Sequence, residues 1–252
     1  QSLYCQVNLK DTISIRKIKS KKDQIFIFGN YSKYVDNYEN SISKVLDFLR
    51  NKNLISGNYL IKINKKIPVF SGLGGGTSNA ASILNFFIKK KIKKEIYKQL
   101  SNHIGTDLKL FLFRQGFLKN LSTVTELKSK YKMYFLLIYP NIKCSTKDIY
   151  SKVKRYSRKK IQKPKVFESR EDFFSFLKNS NNDLQEIVER KYPLIKKLLH
   201  SIKNSTGCHI SRMTGSGSCC YGLFHKKIQT KRALRLLKKI YPKMSFFLVE
   251  SI

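Results

Sequence analysis

The sequence predicts an α+β fold in two domains, and three observations carry that reading. Apolar runs of strand length alternate with stretches of helical periodicity, and no regular βαβ repeat links them. Pro140 follows one of the most apolar of these runs and marks a boundary between residues 1–140 and 141–252. Finally, Gly72, Gly74, Gly75 and Gly76 lead straight into a helical pattern.

The elements follow in order. Leu3–Val7, Thr12–Ile15 and Gln24–Phe28 read as short strands, and Ile42, Val45, Leu46 and Leu49 mark one face of a helix. Leu60–Asn64 returns as a strand. Ala80, Ile83, Leu84, Phe87 and Ile88 recur at helical spacing behind the glycines, and Thr77, Ser78 and Asn79 supply capping oxygens. A further helix runs through Ile96, Leu100 and Ile104, with Gly105 ending it. Leu108–Phe113 and Met133–Tyr139 suit buried strands, with Gly116 at a turn between them. Beyond Pro140 a basic segment to about Lys165 precedes helices marked by Phe173, Phe176 and Leu177, by Leu184, Ile187 and Val188, and by Ile195, Leu198 and Leu199. Cys219–Phe224 and Ser245–Val249 read as strands flanking a helix through Ala233, Leu236 and Leu237.

Composition narrows the function classes. With 252 residues there is ample material for a core. The net charge of +35 invites a nucleic-acid role, but the charge is spread, mostly lysine, and accompanied by abundant Ile, Asn, Tyr and Phe, as an AT-rich genome produces. The basic runs 89–94 and 155–165 read as a solvated helix end and a loop. No apolar run reaches the length of about eighteen residues that a membrane span needs. Five cysteines show neither zinc spacing nor a disulfide framework, so the expected compartment is reducing and cytoplasmic. His103, His200, His209 and His225 have no metal-site spacing, and no protein-held metal is expected.

The glycine cluster is where chemistry concentrates. Glycines let backbone amides approach an anion, and the first turn of a helix offers unpaired donors at the positive end of its dipole, so Ile67–Ala81 reads as a phosphate cradle. It is not a Walker A loop, because no Gly-Lys dipeptide occurs in the chain. Nor is it the dinucleotide fingerprint, which needs a glycine where Thr77 stands.

The stretch Pro68 to Ala81 resembles the phosphate loop of the GHMP kinases, the superfamily of galactokinase, homoserine kinase and mevalonate kinase. Other segments match in order: Ile104-Gly105-Thr106-Asp107 resembles its Gly-Ala-Asp motif, Thr214 to Cys219 its third, glycine-rich motif, and Asn182-Asp183-Leu184 with Pro193 its Asn-Asp-Leu helix. The resemblance implies a ribosomal protein S5 domain 2-like N-terminal domain and a ferredoxin-like C-terminal domain, with the active site between them. It implies ATP binding by Pro68, Val69, Phe70, Ser71, Gly72, Leu73, Gly74, Gly75, Gly76, Thr77 and Ser78, with Gly215 and Gly217 approaching from the second domain. Lys65 and Asn40 fall where the family lies near the nucleotide base, although a solvated lysine and a helix N-cap explain them equally. Asp107 would orient the acceptor hydroxyl and take its proton, and Thr146 and Tyr150 would contact substrate, Tyr150 by stacking on cytosine.

Within the superfamily the triple glycine resembles the loop of one member, and that resemblance implies ATP-Mg²⁺-dependent phosphorylation of the 2-hydroxyl of 4-diphosphocytidyl-2-C-methyl-D-erythritol. Homoserine- or mevalonate-type kinases are the alternatives within the class, and a non-catalytic basic binding module is the alternative outside it. A monomer or homodimer fits either. The family's Pro-Ala-Lys-Ile-Asn strand and Gly-Tyr-His segment are absent, so about thirty residues are expected to precede Gln1, an estimate from the strand and loop they require.

Overall fold

Two sheets of three strands and one of four organise the protein, as seen in a computed structural model that describes residues 1–36, 39–88, 94–120, 123–127, 131–153, 167 and 169–252. Strands β1 (Ser2–Cys5), β2 (Thr12–Ile18) and β3 (Gln24–Phe28) lead to helix α1 (Ser41–Asn51) and strand β4 (Asn58–Asn64). Helices α2 (Gly75–Phe87) and α3 (Lys94–Ile104), a 3-10 turn (Thr106–Phe111) and strands β5 (Gln115–Leu118) and β6 (Val124–Glu126) complete the first half. Strand β4 is central in the sheet β2-β4-β3, antiparallel to β2 and parallel to β3.

Alternation puts every second residue of this sheet on one face. Ile13, Ile15, Ile25, Ile27, Ile61 and Ile63 thus share a core with Val45, Leu46 and Leu49 of α1 and Ala80, Ile83 and Leu84 of α2. The helical face expected at Ile42, Val45, Leu46 and Leu49 is the buried one.

The second half contains β7 (Tyr134–Tyr139), α4 (Thr146–Ser151), α5 (Arg170–Lys178), α6 (Gln185–Lys191) and α7 (Pro193–Lys203). It ends with β8 (Cys208–Met213), β9 (Cys220–Phe224), α8 (Lys227–Ile240) and β10 (Ser245–Glu250). The sheet order is β10-β7-β9-β8, with every pairing antiparallel. This is the split β-α-β-β-α-β, ferredoxin-like arrangement. Both faces of β7 are covered: Leu136 and Ile138 lie in the core with α4, α6, α7 and α8, while Phe135 and Leu137 pack with Phe173 and Phe174 of α5. Burial on both faces explains its unbroken apolar run.

Strand β7 is an interior strand of the second sheet, so by hydrogen bonding Tyr134–Tyr139 go with the strands that follow Pro140. Leu108–Phe113 is no strand: most of it lies in the 3-10 turn, where Leu108 and Phe111, three residues apart, both reach the core. An apolar run alone does not reveal its period. Gly116 sits inside β5, not at a turn, and β6 and β8 had no distinct signal. Residues 89–93, 155–165, 121 and 122, on which the basic-run and loop readings fall, lie outside the described residues.

The halves are stitched at the chain's ends. Val7 bridges Ser251, the Asn8 amide donates to the Glu250 carbonyl at 3.0 Å, and the Ile252 amide donates to the Gln6 carbonyl at 3.2 Å. Among the described residues no helix is long and apolar enough to cross a membrane.

One cross-strand pair gives a test. Gly116 faces Tyr4, and a β-carbon there would come within 2.3 Å of the Tyr4 hydroxyl oxygen. Gly116→Ala is expected to destabilise the protein by about 1–3 kcal/mol, the usual cost of overpacking, read as a lower urea midpoint at unchanged m.

Candidate active site

The glycines start α2 earlier than the polar residues behind them suggested. Gly74 is the N-cap, in a left-handed conformation (φ 67°, ψ 23°), and no side chain caps the helix. Thr77, Ser78 and Asn79 therefore lie within it, a correction to the capping role expected of them. The first intrahelical bond runs from the Ser78 amide to the Gly74 carbonyl at 2.8 Å. The amides of Gly75, Gly76 and Thr77 consequently have no acceptor inside the helix, and with the helix dipole they form an anion-binding end.

The loop before that end is fixed from several sides. The Ser71 hydroxyl donates to the Pro68 carbonyl at 2.7 Å, and the Tyr139 hydroxyl donates to the Val69 carbonyl at 3.1 Å. Leu73 packs on the second-half core. Phe70 takes φ 57°, rare for an aromatic residue, and its exposed ring meets Tyr34 edge-on at 6.4 Å. The Ser41 hydroxyl, at the first residue of α1, donates to the Gly76 carbonyl at 2.8 Å.

The β8–β9 hairpin, which carries the third motif, closes directly on this loop. The Thr214 hydroxyl and the Cys219 amide both donate to the Ser71 carbonyl, at 2.9 and 3.1 Å, and the Ser218 amide reaches the Phe70 carbonyl at 3.4 Å. Gly72 makes this approach possible, since a β-carbon there would lie 2.3 Å from the Thr214 carbonyl oxygen. Gly215 and Gly217 both have positive φ, and Gly215 lies against the Gly72 carbonyl. Asn182 pins the hairpin by donating to the Met213 and Gly215 carbonyls at 3.0 and 2.8 Å.

Thr146 and Ser216 share a hydroxyl hydrogen bond of 2.9 Å, so α4 is tied to the same hairpin. Tyr150, one turn further along the same face, is 51% exposed and therefore not a core tyrosine. Asp107 lies in the 3-10 turn whose Phe111 ring would meet a Gly74 β-carbon at 3.6 Å, which packs the turn against the start of α2. Its carboxyl is open to solvent yet crowded by protein, and this desolvation pushes it above its ordinary value.

Asn40 and Lys65 have protein partners of their own. The Asn40 carbonyl oxygen accepts from the Ile42 and Ser43 amides as the N-cap of α1. Lys65, expected near the nucleotide base or in solvent, is buried, and its ammonium pairs with Asp11. Asp11 also accepts from the Lys66 and Ile67 amides and the Asn79 side chain. Asp11 and Ser41 stand outside any local motif, so the sequence does not single them out. Among the described residues no three His, Cys, Asp or Glu side chains gather as a metal site.

A phosphate-binding helix end closed by a glycine hairpin from a ferredoxin-like domain is the architecture of a GHMP kinase. The family descriptions "GHMP kinases N terminal domain" and "GHMP kinases C terminal" match residues 40–108 and 166–243. The 4-diphosphocytidyl-2-C-methyl-D-erythritol kinase of Pelagibacter ubique (strain HTCC1062) is 38% identical over 95% of this chain and 85% of its own length. The same kinase of Buchnera aphidicola subsp. Schizaphis graminum is 34% identical over 94% and 80%. The chain belongs to this kinase family. In fold it is similar to a crystal structure of 4-(cytidine 5'-diphospho)-2C-methyl-D-erythritol kinase (TM-score 0.69, 20% identity, 98% of this chain and 88% of that one). It is similar also to homoserine kinase from Cytophaga hutchinsonii ATCC 33406 (TM-score 0.73, 15% identity, 98% and 87%).

The start of α2 gives a test. A β-carbon on Gly75 would lie 2.9 Å from Ile67 Cγ2 and 3.2 Å from Lys65 Nζ. Gly75→Val is expected to weaken ATP binding by tilting the start of α2; unchanged affinity by calorimetry would remove the loop from that role.

Proposed function

We propose that the protein transfers the γ-phosphoryl group of ATP to the 2-hydroxyl of 4-diphosphocytidyl-2-C-methyl-D-erythritol, in the methylerythritol phosphate route to isoprenoid precursors. The observation that carries this reading is the bare N-terminus of α2, closed by the β8–β9 hairpin, in a chain whose named relatives are kinases of this acceptor.

Phosphoryl transfer is chiefly positioning and charge stabilisation. The amides of Gly75, Gly76 and Thr77 hold phosphate oxygens, while Gly215 and Gly217 bring the second domain's backbone beside them. Asp107 orients the acceptor hydroxyl and takes its proton as the phosphoryl group departs. Tyr150 offers a flat apolar face to the cytosine and Thr146 a hydroxyl beside it. Magnesium would be delivered with ATP: Asp107 on the 3-10 turn and Thr77 and Ser78 on α2 are oxygen donors on two elements that meet at Gly74, and they suit a cation that keeps few protein ligands. When bound it neutralises phosphate charge. We place the protein in the cytoplasm.

A kinase assay with ATP-Mg²⁺ and this acceptor, against homoserine and mevalonate, tests the function; selective turnover of the first is expected, and turnover of another acceptor alone would overturn it. Asp107→Asn is expected to lower turnover at least about a hundredfold while ATP still binds. The folded carboxyl's value lies above its unfolded one, so its contribution to stability is complete at low pH and is lost as pH rises through the folded value. At neutral pH Asp107→Asn should therefore raise Tm, and in the wild type the acid limb of kcat/KM should lie above the ordinary aspartate value of about 3.9. Tyr150→Ala should raise KM for the cytidyl acceptor and leave KM for ATP unchanged; an unaltered acceptor KM would end the stacking role.

A further inference from the structure

We infer that Asp11 is a positioning residue for phosphoryl transfer, a buried carboxylate that fixes both feet of the phosphate loop; this rests on the reading of Pro68–Ser78 as an ATP loop. Asp11 lies between β1 and β2, and its side chain is wholly buried, as is nearly all of the Lys65 side chain. One oxygen, Oδ1, accepts from the backbone amides of Lys66 and Ile67 at 2.7 and 2.8 Å. The other, Oδ2, accepts from Asn79 Nδ2 at 3.0 Å and from the Lys65 ammonium. The four donors match the acceptor capacity of a carboxylate.

The donors stand on opposite sides of the loop. Lys65, Lys66 and Ile67 follow the end of β4, and Asn79 is in the second turn of α2, so residues 68–78 are strung between two points held by one side chain. Stability alone is a poor reason for the arrangement, because a buried ion pair gains little over packed apolar residues. Its specific product is geometry. The Lys65 ammonium sits 3.2 Å from where a Gly75 β-carbon would be. A cation at a helix N-terminus opposes the dipole, and Asp11 neutralises it there.

Asn79→Ala cuts only the foot on α2 and leaves the ion pair and the β4 foot in place. In the purified full-length protein it is expected to raise both the calorimetric Kd and the KM for ATP by about tenfold, in line with the sensitivity of bound geometry to small displacements. KM for the acceptor should stay near wild type, whatever fall in Tm the lost buried hydrogen bond brings. Asp11→Asn sets an amide donor against the Lys65 and Asn79 donors and should have the larger effect; if it does not fold, Asn79→Ala decides. Wild-type ATP affinity in Asn79→Ala would overturn the inference, and so would ATP and acceptor KM rising together with a fall in Tm, which would mark a structural role only. Failure of the wild type to bind ATP would instead overturn the ATP reading on which the inference rests.

Discussion

Backbone lies on backbone at Gly72, and the arrangement of the two halves follows from that contact. The loop comes from the first half and the hairpin from the second, with no side chain between them where a β-carbon would be 2.3 Å from the Thr214 carbonyl oxygen. Ser71 and Phe70 then offer carbonyls to Thr214, Cys219 and Ser218. Each such hydrogen bond contributes about 0.5–1.5 kcal/mol net, so the seam is a weak glue. Its value is directional: it sets the glycine hairpin beside the uncapped helix end to within hydrogen-bond tolerance.

Leaving α2 uncapped has a cost. A Ser, Thr, Asp or Asn cap stabilises a helix by about 0.5–2 kcal/mol relative to none, and α1, capped by the Asn40 side chain, has one. On the proposed function the missing cap at α2 has a use, because a side chain accepting from those amides would compete with phosphate. The compensation is spread around the loop, in the Ser41 hydroxyl, the Tyr139 hydroxyl and the Asp11 carboxylate. Burial elsewhere keeps the helix in place: Ala80, Ile83 and Leu84 are almost wholly enclosed.

Much of this was legible in the sequence, for a physical reason. Features set by local chemistry, such as the glycine run, the Asn40 cap and the apolar face of α1, declare themselves within a few residues. Period is harder. Leu108–Phe113 is as apolar as a strand, and only packing shows Leu108 and Phe111 on a three-residue repeat. Sheet membership is hard to read too: a proline ends a strand without saying which sheet the strand joins, and β7 joins partners that follow it by many residues. Asp11 and Lys65 were illegible as a pair: they are far apart in sequence, and charge in so basic a chain suggests solvent, not burial.

The joining of the chain's two ends has a mechanical side. Strand β10 is held by β7 along one edge, and residues 251 and 252 continue onto Gln6 and Val7. A pull applied at Ile252 loads that short bridge first and then peels β10 from β7 in sequence, as an antiparallel edge strand unzips rather than shears. Tension applied there would thus load the join to Gln6 and Val7 before it reached the hairpin that holds the phosphate loop.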